Sequence, residues 1–408
     1  MDKILWTAST LIMLVFLAML ALRAMQDLLG IDINATELKR IIVTHRSPAS
    51  WPWPVIFVSS LVILWAGSYF GWKAAGGWGR FLESFWNRQV TMGDSPHYLF
   101  IAEHGYVSTG DEVNKIVFYP FYPYLISVVG AILGGHRELA ALVISQVSYG
   151  ASAVFFARLA RMESSHPGAA LLAYWLYPFG FFSLGVYTEG LFLLLTILGL
   201  YLIRTRQWIG AGAVGFLCAL TRAQGMLLLL PGVYCAWRDA RDRGWNLRHL
   251  ALVGPMIGFG IYLLINKIVC GDFFAFSFYE NSPPWWQHAQ WLGSTVAQQW
   301  AMINNYPGLA KWIYWPQLLL YFVVAAFLYM GYRRRIDNSL LIYGTAYLGM
   351  CYTTSWMISG GRYLLGCIPV YLCIGRIQKR YWRALILIVE FALFLLFYYY
   401  FMQGQSIM

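Results

Sequence analysis

Charge is what this chain lacks. Only 12% of its 408 residues are Asp, Glu, Lys or Arg, and just 18 are acidic, against roughly 25% charged in soluble domains. That scarcity excludes an ordinary water-facing surface. Cysteine is sparse too. Cys218, Cys235, Cys351, Cys367 and Cys373 fall in apolar stretches without metal-ligand spacing, and Cys270 borders a loop, so no disulfide framework is expected. No Walker A, no GxGxxG at a strand–helix turn and no HExxH occurs, which leaves ATP, dinucleotide and zinc-protease chemistry without support. An Asp-x-Asp motif is absent as well, which argues against a nucleotide-sugar enzyme with a metal-held donor. No metal or other cofactor is expected.

What the chain has is hydrophobicity. Apolar residues make up 59%, with 19 Trp and 28 Tyr, rings that settle at membrane–water interfaces. Runs near 20 residues long recur at 4–23, 53–72, 138–157, 168–184, 187–203, 208–222, 225–237, 249–268, 312–331, 338–358, 363–376 and 384–401. The expected fold is therefore all-α, a polytopic helical membrane protein with about 12 transmembrane helices. The pair 208–222 and 225–237 is short for full crossings. The run 4–23 is long for a signal peptide and lacks a small-residue cleavage site, so it reads as a retained helix. Residues 1–50 then form an N-terminal extra helix and cytoplasmic linker, and residues 51–408 the transmembrane domain.

One further apolar run, 118–134, would invert everything after it if it crossed. Charge decides against that. With 118–134 held at the surface, Arg23, Lys39, Arg40 and Arg46; Arg158 and Arg161; Arg204 and Arg206; Arg238, Arg241, Arg243 and Arg248; Arg333, Arg334 and Arg335; and Arg376, Lys379, Arg380 and Arg383 all share one side. That is the positive-inside pattern. Pro120 and Pro123 also favour a broken or re-entrant segment. The net charge of +11 is thus topological, and no nucleic-acid partner is expected. Asp94, Glu103, Glu189, Arg222, Arg362 and the loop 269–311 fall on the opposite, outer side, with both termini.

The titratable residues cluster there. Asp94, His97, Glu103, His104, Asp111 and Glu112 crowd one short stretch, and a membrane protein concentrates such groups where it needs water or chemistry. Asp94, His97, Ile101 and Gly105 step by three or four and would share one face of a short helix with Pro96 in its first turn. Asp94 is either the cap of that helix or a working carboxylate. Glu103 would then lie about two and a half turns on, facing the other way. Glu189 at the outer end of a span calls for a partner, an arginine or sugar hydroxyls. Arg222 and Arg362 are either snorkelling interface residues or forks for a phosphate. The loop 269–311, with Trp285, Trp286, Trp291, Trp300, Tyr306 and His288, reads equally as an interfacial anchor or a lid.

Several motifs resemble one family. Asp94-x-x-His97-Tyr98-x-x-Ile101-Ala102-Glu103-His104-Gly105-Tyr106 is followed by Phe118-Tyr119-Pro120-Phe121-Tyr122-Pro123. Then come Pro178-Phe179-Gly180-Phe181-Phe182-Ser183 with Tyr187-Thr188-Glu189-Gly190, Thr221-Arg222-Ala223-Gln224-Gly225, and Gly361-Arg362-Tyr363. Together, over roughly residues 80–376, these resemble the PIG-V family of multi-pass mannosyltransferases and its bacterial relatives. One departure is Gly93, where the family usually has Trp before the Asp.

The resemblance implies a GT-C-like fold, with an interfacial helical outer loop between the second and third crossings. It also implies a hexosyltransferase of the cell membrane with its active site on the extracytoplasmic side. Such an enzyme moves a sugar, mannose by family, from a polyprenyl-phosphate donor to the hydroxyl of a glycolipid, polymer or protein acceptor. Asp94 matches the catalytic base of an inverting displacement. His97, Tyr98, Glu103, His104, Tyr119, Tyr122, Tyr187, Glu189, Arg222, Arg362 and Tyr363 are the substrate-binding candidates. The alternatives are a secondary transporter or flippase for a lipid-linked or small solute, and a non-catalytic scaffold subunit. A transporter needs its acids in a mid-depth cavity, whereas an enzyme needs Asp94 in an outer cleft.

Overall fold

The computed structural model describes residues 1–30, 51–74, 76, 80–405 and 407. The expected linker basic residues Lys39, Arg40 and Arg46 lie outside the described residues. The fold is all-α. Among the described residues the only extended pairing is one isolated bridge between Ala289 and Thr354.

Six helices are long and apolar enough to cross a bilayer: Asp2–Leu28, Trp53–Ala74, Arg137–Glu163, Leu247–Cys270, Trp312–Arg333 and Arg380–Met402. All six turn apolar side chains outward. Leu11, Leu14 and Leu22 on the first, Val58 and Val62 on the second, and Leu385, Ile388 and Val389 on the last are all exposed. A helix that is hydrophobic all round belongs in lipid or in a large core, so these faces define a membrane protein.

The remaining expected crossings are shorter or broken. The run 168–184 becomes helix Pro167–Trp175 and a 3-10 turn Gly180–Leu184. Pro178 disfavours a helical Tyr177 and ends the first piece. The run 208–222 gives Trp208–Ala219, 225–237 gives a 3-10 turn before Leu229–Arg243, and 363–376 keeps only Pro369–Ile374 as α-helix. Gly180–Leu184 and Pro369–Ile374 are interior, whereas Leu229–Arg243 also turns Leu230, Val233 and Trp237 outward. Tyr174, Tyr343, Tyr347 and Tyr371 are fully or almost fully buried, and irregular backbone at membrane depth is tolerated when protein surrounds it. The run 118–134 is broken: a 3-10 segment Asp111–Val117 meets helix Phe121–Ile132 at 107°.

Helix Glu189–Arg204 organises the charges. At its C-terminal end Arg204 pairs with Glu163 at 2.5 Å and Asp337 at 2.9 Å. Arg238 bridges Asp337 and Asp27 at 3.3 and 3.5 Å. Arg23 donates to the carbonyls of Tyr332 and Ile336, each at 2.9 Å, and Arg376 donates to the Glu163 carbonyl. The basic connections that charge alone assigned to one side thus meet at one end of the molecule. Glu189 begins the same helix, roughly 22 Å away at 1.5 Å per residue, and a second set of charges gathers there.

Candidate active site

Four elements bring four charged side chains into one chain of contacts. Arg362 Nη2 lies 2.8 Å from Asp94 Oδ2, and Arg362 Nε lies 3.2 Å from Glu189 Oε1. The same Glu189 oxygen accepts from Arg222 Nη1 at 2.7 Å, which also donates to Thr188 Oγ1 at 3.2 Å. The order is carboxylate, guanidinium, carboxylate, guanidinium. Glu189 and Arg362 are 4% and 7% exposed at the side chain, whereas Asp94 is 25% exposed. Asp94 is the acid that solvent or a substrate reaches most easily. The second oxygen of Glu189 is buried without a partner, which leaves an acceptor open inside the cluster.

Local sequence explains each placement. Asp94 is the N-cap residue of helix Ser95–His104, with Pro96 in the first turn as expected, but its side chain makes no cap hydrogen bond. Between the two readings of Asp94, the carboxylate is committed to Arg362 and not to its own helix. Ser95 Oγ ties this helix start to the carbonyls of Gln89 and Val186 at 3.2 and 3.1 Å. Gly93 has φ +66°, and a Cβ there would meet Tyr187 Oη at 2.5 Å. A side chain at position 93 would have no room, because Tyr187 occupies the space that it would need. Glu189 is set by the crossing of helices Glu189–Arg204 and Arg137–Glu163. A Cβ on Gly190 would lie 2.2 Å from the Ser145 carbonyl, and Ser145 Oγ donates to the Tyr187 carbonyl at 3.1 Å.

Arg362 is held from its neighbours' backbone. Tyr177 Oη donates to the Gly361 carbonyl and Tyr347 Oη to the Tyr363 carbonyl, each at 2.8 Å. Its guanidinium lies 5.4–5.5 Å from the ring centroids of Phe182, Tyr187 and Tyr363. Arg222 sits 5.0 Å from the Tyr363 ring and 5.7 Å from Phe192. Aromatic faces attract such cations, so the rings hold both guanidinium groups where water is scarce.

An aromatic wall stands beside Asp94. His97 stacks on Phe118 at 4.9 Å, and the Trp285 indole meets both rings edge-on at 5.3 and 5.4 Å. His97 Nδ1 is buried without a partner. Burial holds the His97 imidazole below its usual pKa, with Asp94 opposing and Lys115 adding to that shift. Tyr98 is buried between Phe118 and Tyr122. Tyr122 shares a 2.8 Å hydrogen bond with Ser145 and so supports the wall from beneath.

Other expected site residues stand apart from the charged chain. Glu103 pairs with Arg137 at 3.5 Å and is about half exposed. His104 stacks on Phe100. Tyr119 stacks on Tyr262 at 4.0 Å, with Glu280 nearby. Thr188 and Phe182 stand in the quoted motifs but were not among the expected site residues, and neither were Phe192 and Tyr177. Thr188 was findable as the residue before Glu189, whereas the ring contacts follow only from packing.

The loop 269–311 is pinned through its middle, residues 288–298. The His288 and Ser355 backbones and side chains bond reciprocally at 2.8–3.0 Å, and Gln298 accepts from the Trp356 backbone at 3.0 Å. Trp291 donates to Thr10 at 2.9 Å and Trp6 to Ser294 at 3.2 Å. The first helix thus braces the segment that presents Trp285. Among the described residues, no three His, Cys, Asp or Glu side chains form a metal-holding group.

No protein-family model matches the chain, and no curated protein matches it. Among solved structures it is similar to the archaeal oligosaccharyltransferase AglB from Archaeoglobus fulgidus, in complex with an inhibitory peptide and a dolichol-phosphate. That similarity has 14% identity and a TM-score of 0.42, and it covers 85% of this chain and 56% of AglB. The chain spans little more than half the length of that protein.

Proposed function

We propose that this chain is a GT-C-type membrane glycosyltransferase related to the PIG-V mannosyltransferases. It moves a hexose, mannose by resemblance, from a polyprenyl-phosphate donor to an acceptor hydroxyl on the extracytoplasmic face of the cell membrane. The observation that carries this reading is the buried chain Asp94–Arg362–Glu189–Arg222, with its most exposed carboxylate beside the His97–Phe118–Trp285 wall. These charges sit at one end of helix Glu189–Arg204 and not at its middle, which favours an enzyme cleft over a transporter's mid-depth site.

The chemistry follows from the order of groups. The acceptor O–H gives its proton to Asp94 as the oxygen attacks the anomeric carbon, and the carbon–oxygen bond to phosphate breaks on the opposite side. A single displacement inverts the anomeric centre. Negative charge grows on the departing lipid phosphate, and in this reading Arg362 and Arg222 stabilise it, an assignment supported by their burial beside Asp94 and Glu189. Their attachment to Glu189 fixes them before the donor arrives. The flat rings of Trp285, Phe118 and His97 offer stacking faces for a sugar. Tyr187 and Tyr363 line the arginines, while Tyr98 and Tyr122 hold the wall. Glu103, His104 and Tyr119 are assigned to the approach of the acceptor.

The test uses purified protein with a small panel of polyprenyl-phosphate sugars, following release of the lipid phosphate. Sugar-dependent release supports the reading, and mannose should lead the panel. Release with none of the sugars and any acceptor, alongside transport of a lipid-linked solute in proteoliposomes, would place the chain among flippases.

A further inference from the structure

A second polar site lies at the other end of the molecule. A cavity of about 260 Å³ opens between the start of helix Trp53–Ala74 and the last turns of helix Arg137–Glu163. Its walls are Ile56, Val154 and Ala157 on the apolar side, Trp51 and Trp53 at the edge, and Arg158 and Arg161 on the polar side. Arg161 is 16 residues beyond Ser145, which touches the Asp94 site through Tyr187. That separation is roughly 24 Å along the helix, so this cavity is distinct from the candidate active site.

The two arginines differ from their neighbours. At the same end, Arg204 and Arg238 have carboxylate partners and Arg23 and Arg376 have carbonyl partners. Among the described residues, Arg158 and Arg161 have neither. Arg158 instead lies over the Phe155 ring at 5.1 Å. Trp51 is positioned by helix Pro167–Trp175, where its ring would lie 2.9 Å from a Cβ on Gly168. Trp51 and Trp53 remain partly exposed, as tryptophans do at the headgroup level of a bilayer.

We propose that this cavity binds the headgroup phosphate of an anionic glycerophospholipid. The two free guanidinium groups supply donors for a phosphate, and the apolar wall receives the start of an acyl chain. An inorganic anion would use the arginines and leave that wall empty. A zwitterionic lipid would carry its own cation to the same two arginines. The volume far exceeds the roughly 10–15 Å³ that one water needs in the same measure, which leaves room for a phosphate with its glycerol. The site is independent of the glycosyltransferase reading and stands if that reading fails.

The test is native mass spectrometry of the purified protein titrated with phosphatidylglycerol, with phosphatidylcholine and with inorganic phosphate. The wild type should retain phosphatidylglycerol in preference to phosphatidylcholine. The double variant Arg158→Gln/Arg161→Gln should lose one bound phosphatidylglycerol, with apparent affinity lower by about tenfold or more for two lost charges. Arg158→Lys/Arg161→Lys should keep most of that affinity. Equal retention of the two lipids by the wild type would overturn the proposal without need of any variant. So would unchanged phosphatidylglycerol binding in the Gln variant, or displacement of the lipid by an equal concentration of inorganic phosphate.

Discussion

Asp94 and Arg362 depend on each other. The carboxylate meets Nη2 at 2.8 Å while the Nε edge of the same guanidinium faces Glu189 at 3.2 Å. One guanidinium therefore stands in ion-pair contact with two acids. Asp94→Asn keeps the size and leaves Glu189 with both arginines, so the protein should fold and bind donor. It removes the proton acceptor, and turnover should fall by about 10² to 10⁴. Turnover and donor binding must be measured on one preparation, and near-wild-type turnover would sink the assignment. Arg362→Lys places a single ammonium where a fork spanned two carboxylates. Turnover should drop at least about tenfold with a weaker donor affinity. Full turnover and unchanged donor affinity in Arg362→Ala would remove this arginine from the site.

At the scale of elements, the helix Ser95–His104 was legible because its signals are local. Pro96 suits a first turn, and the spacing of Asp94, His97 and Ile101 gives one face. The broken segment near 118–134 was legible for the same reason, from Pro120 and Pro123. The partners of those residues were not legible. That Arg362 reaches Asp94 depends on a turn held by Tyr177, from the connection after helix Pro167–Trp175, and by Tyr347 of helix Asn338–Cys351, and no spacing rule encodes it. Nor does the sequence show that the Asp2–Leu28 helix braces the loop carrying Trp285.

That loop also contains an unexpected acid. Glu280, which ends the short helix Ala275–Glu280, is pushed up to about 7 by burial. Its ordinary value is near 4.5, so the folded state holds the proton more tightly than the unfolded chain. Stability contributed here is complete below about pH 4.5 and declines as pH rises toward 7, because the native state then binds more protons than the unfolded state. Glu280→Gln should flatten the fall in melting temperature across pH 5–7, an effect of at most about 3 kcal/mol. An identical pH profile in wild type and variant would show that this carboxyl titrates normally.

For the whole molecule, hydropathy and charge together carried most of the architecture. Six of the expected runs stand as long helices, whereas 338–358, the longest of them, keeps only the 14-residue helix Asn338–Cys351, and 363–376 shrinks to Pro369–Ile374 among buried neighbours. Counting arginines separated two ends that the structure also separates. Arg204, Arg238, Arg334 and Arg376 lie at one end, and Asp94, Glu189, Arg222 and Arg362 lie at the other. The positive-inside rule predicts that the arginine-rich end faces the cytoplasm, and direct measurement tests that. Cys270 closes the helix Gly254–Cys270 and is partly exposed, whereas the other five cysteines are buried. An impermeant maleimide added to intact cells should therefore label the wild-type protein, and Cys270→Ser should abolish the labelling. In that background Asp111→Cys should restore labelling from outside, while Arg334→Cys should react only after the membrane is opened. Labelling of Arg334→Cys in intact cells, with Asp111→Cys silent, would invert the orientation and move the proposed chemistry to the cytoplasmic face.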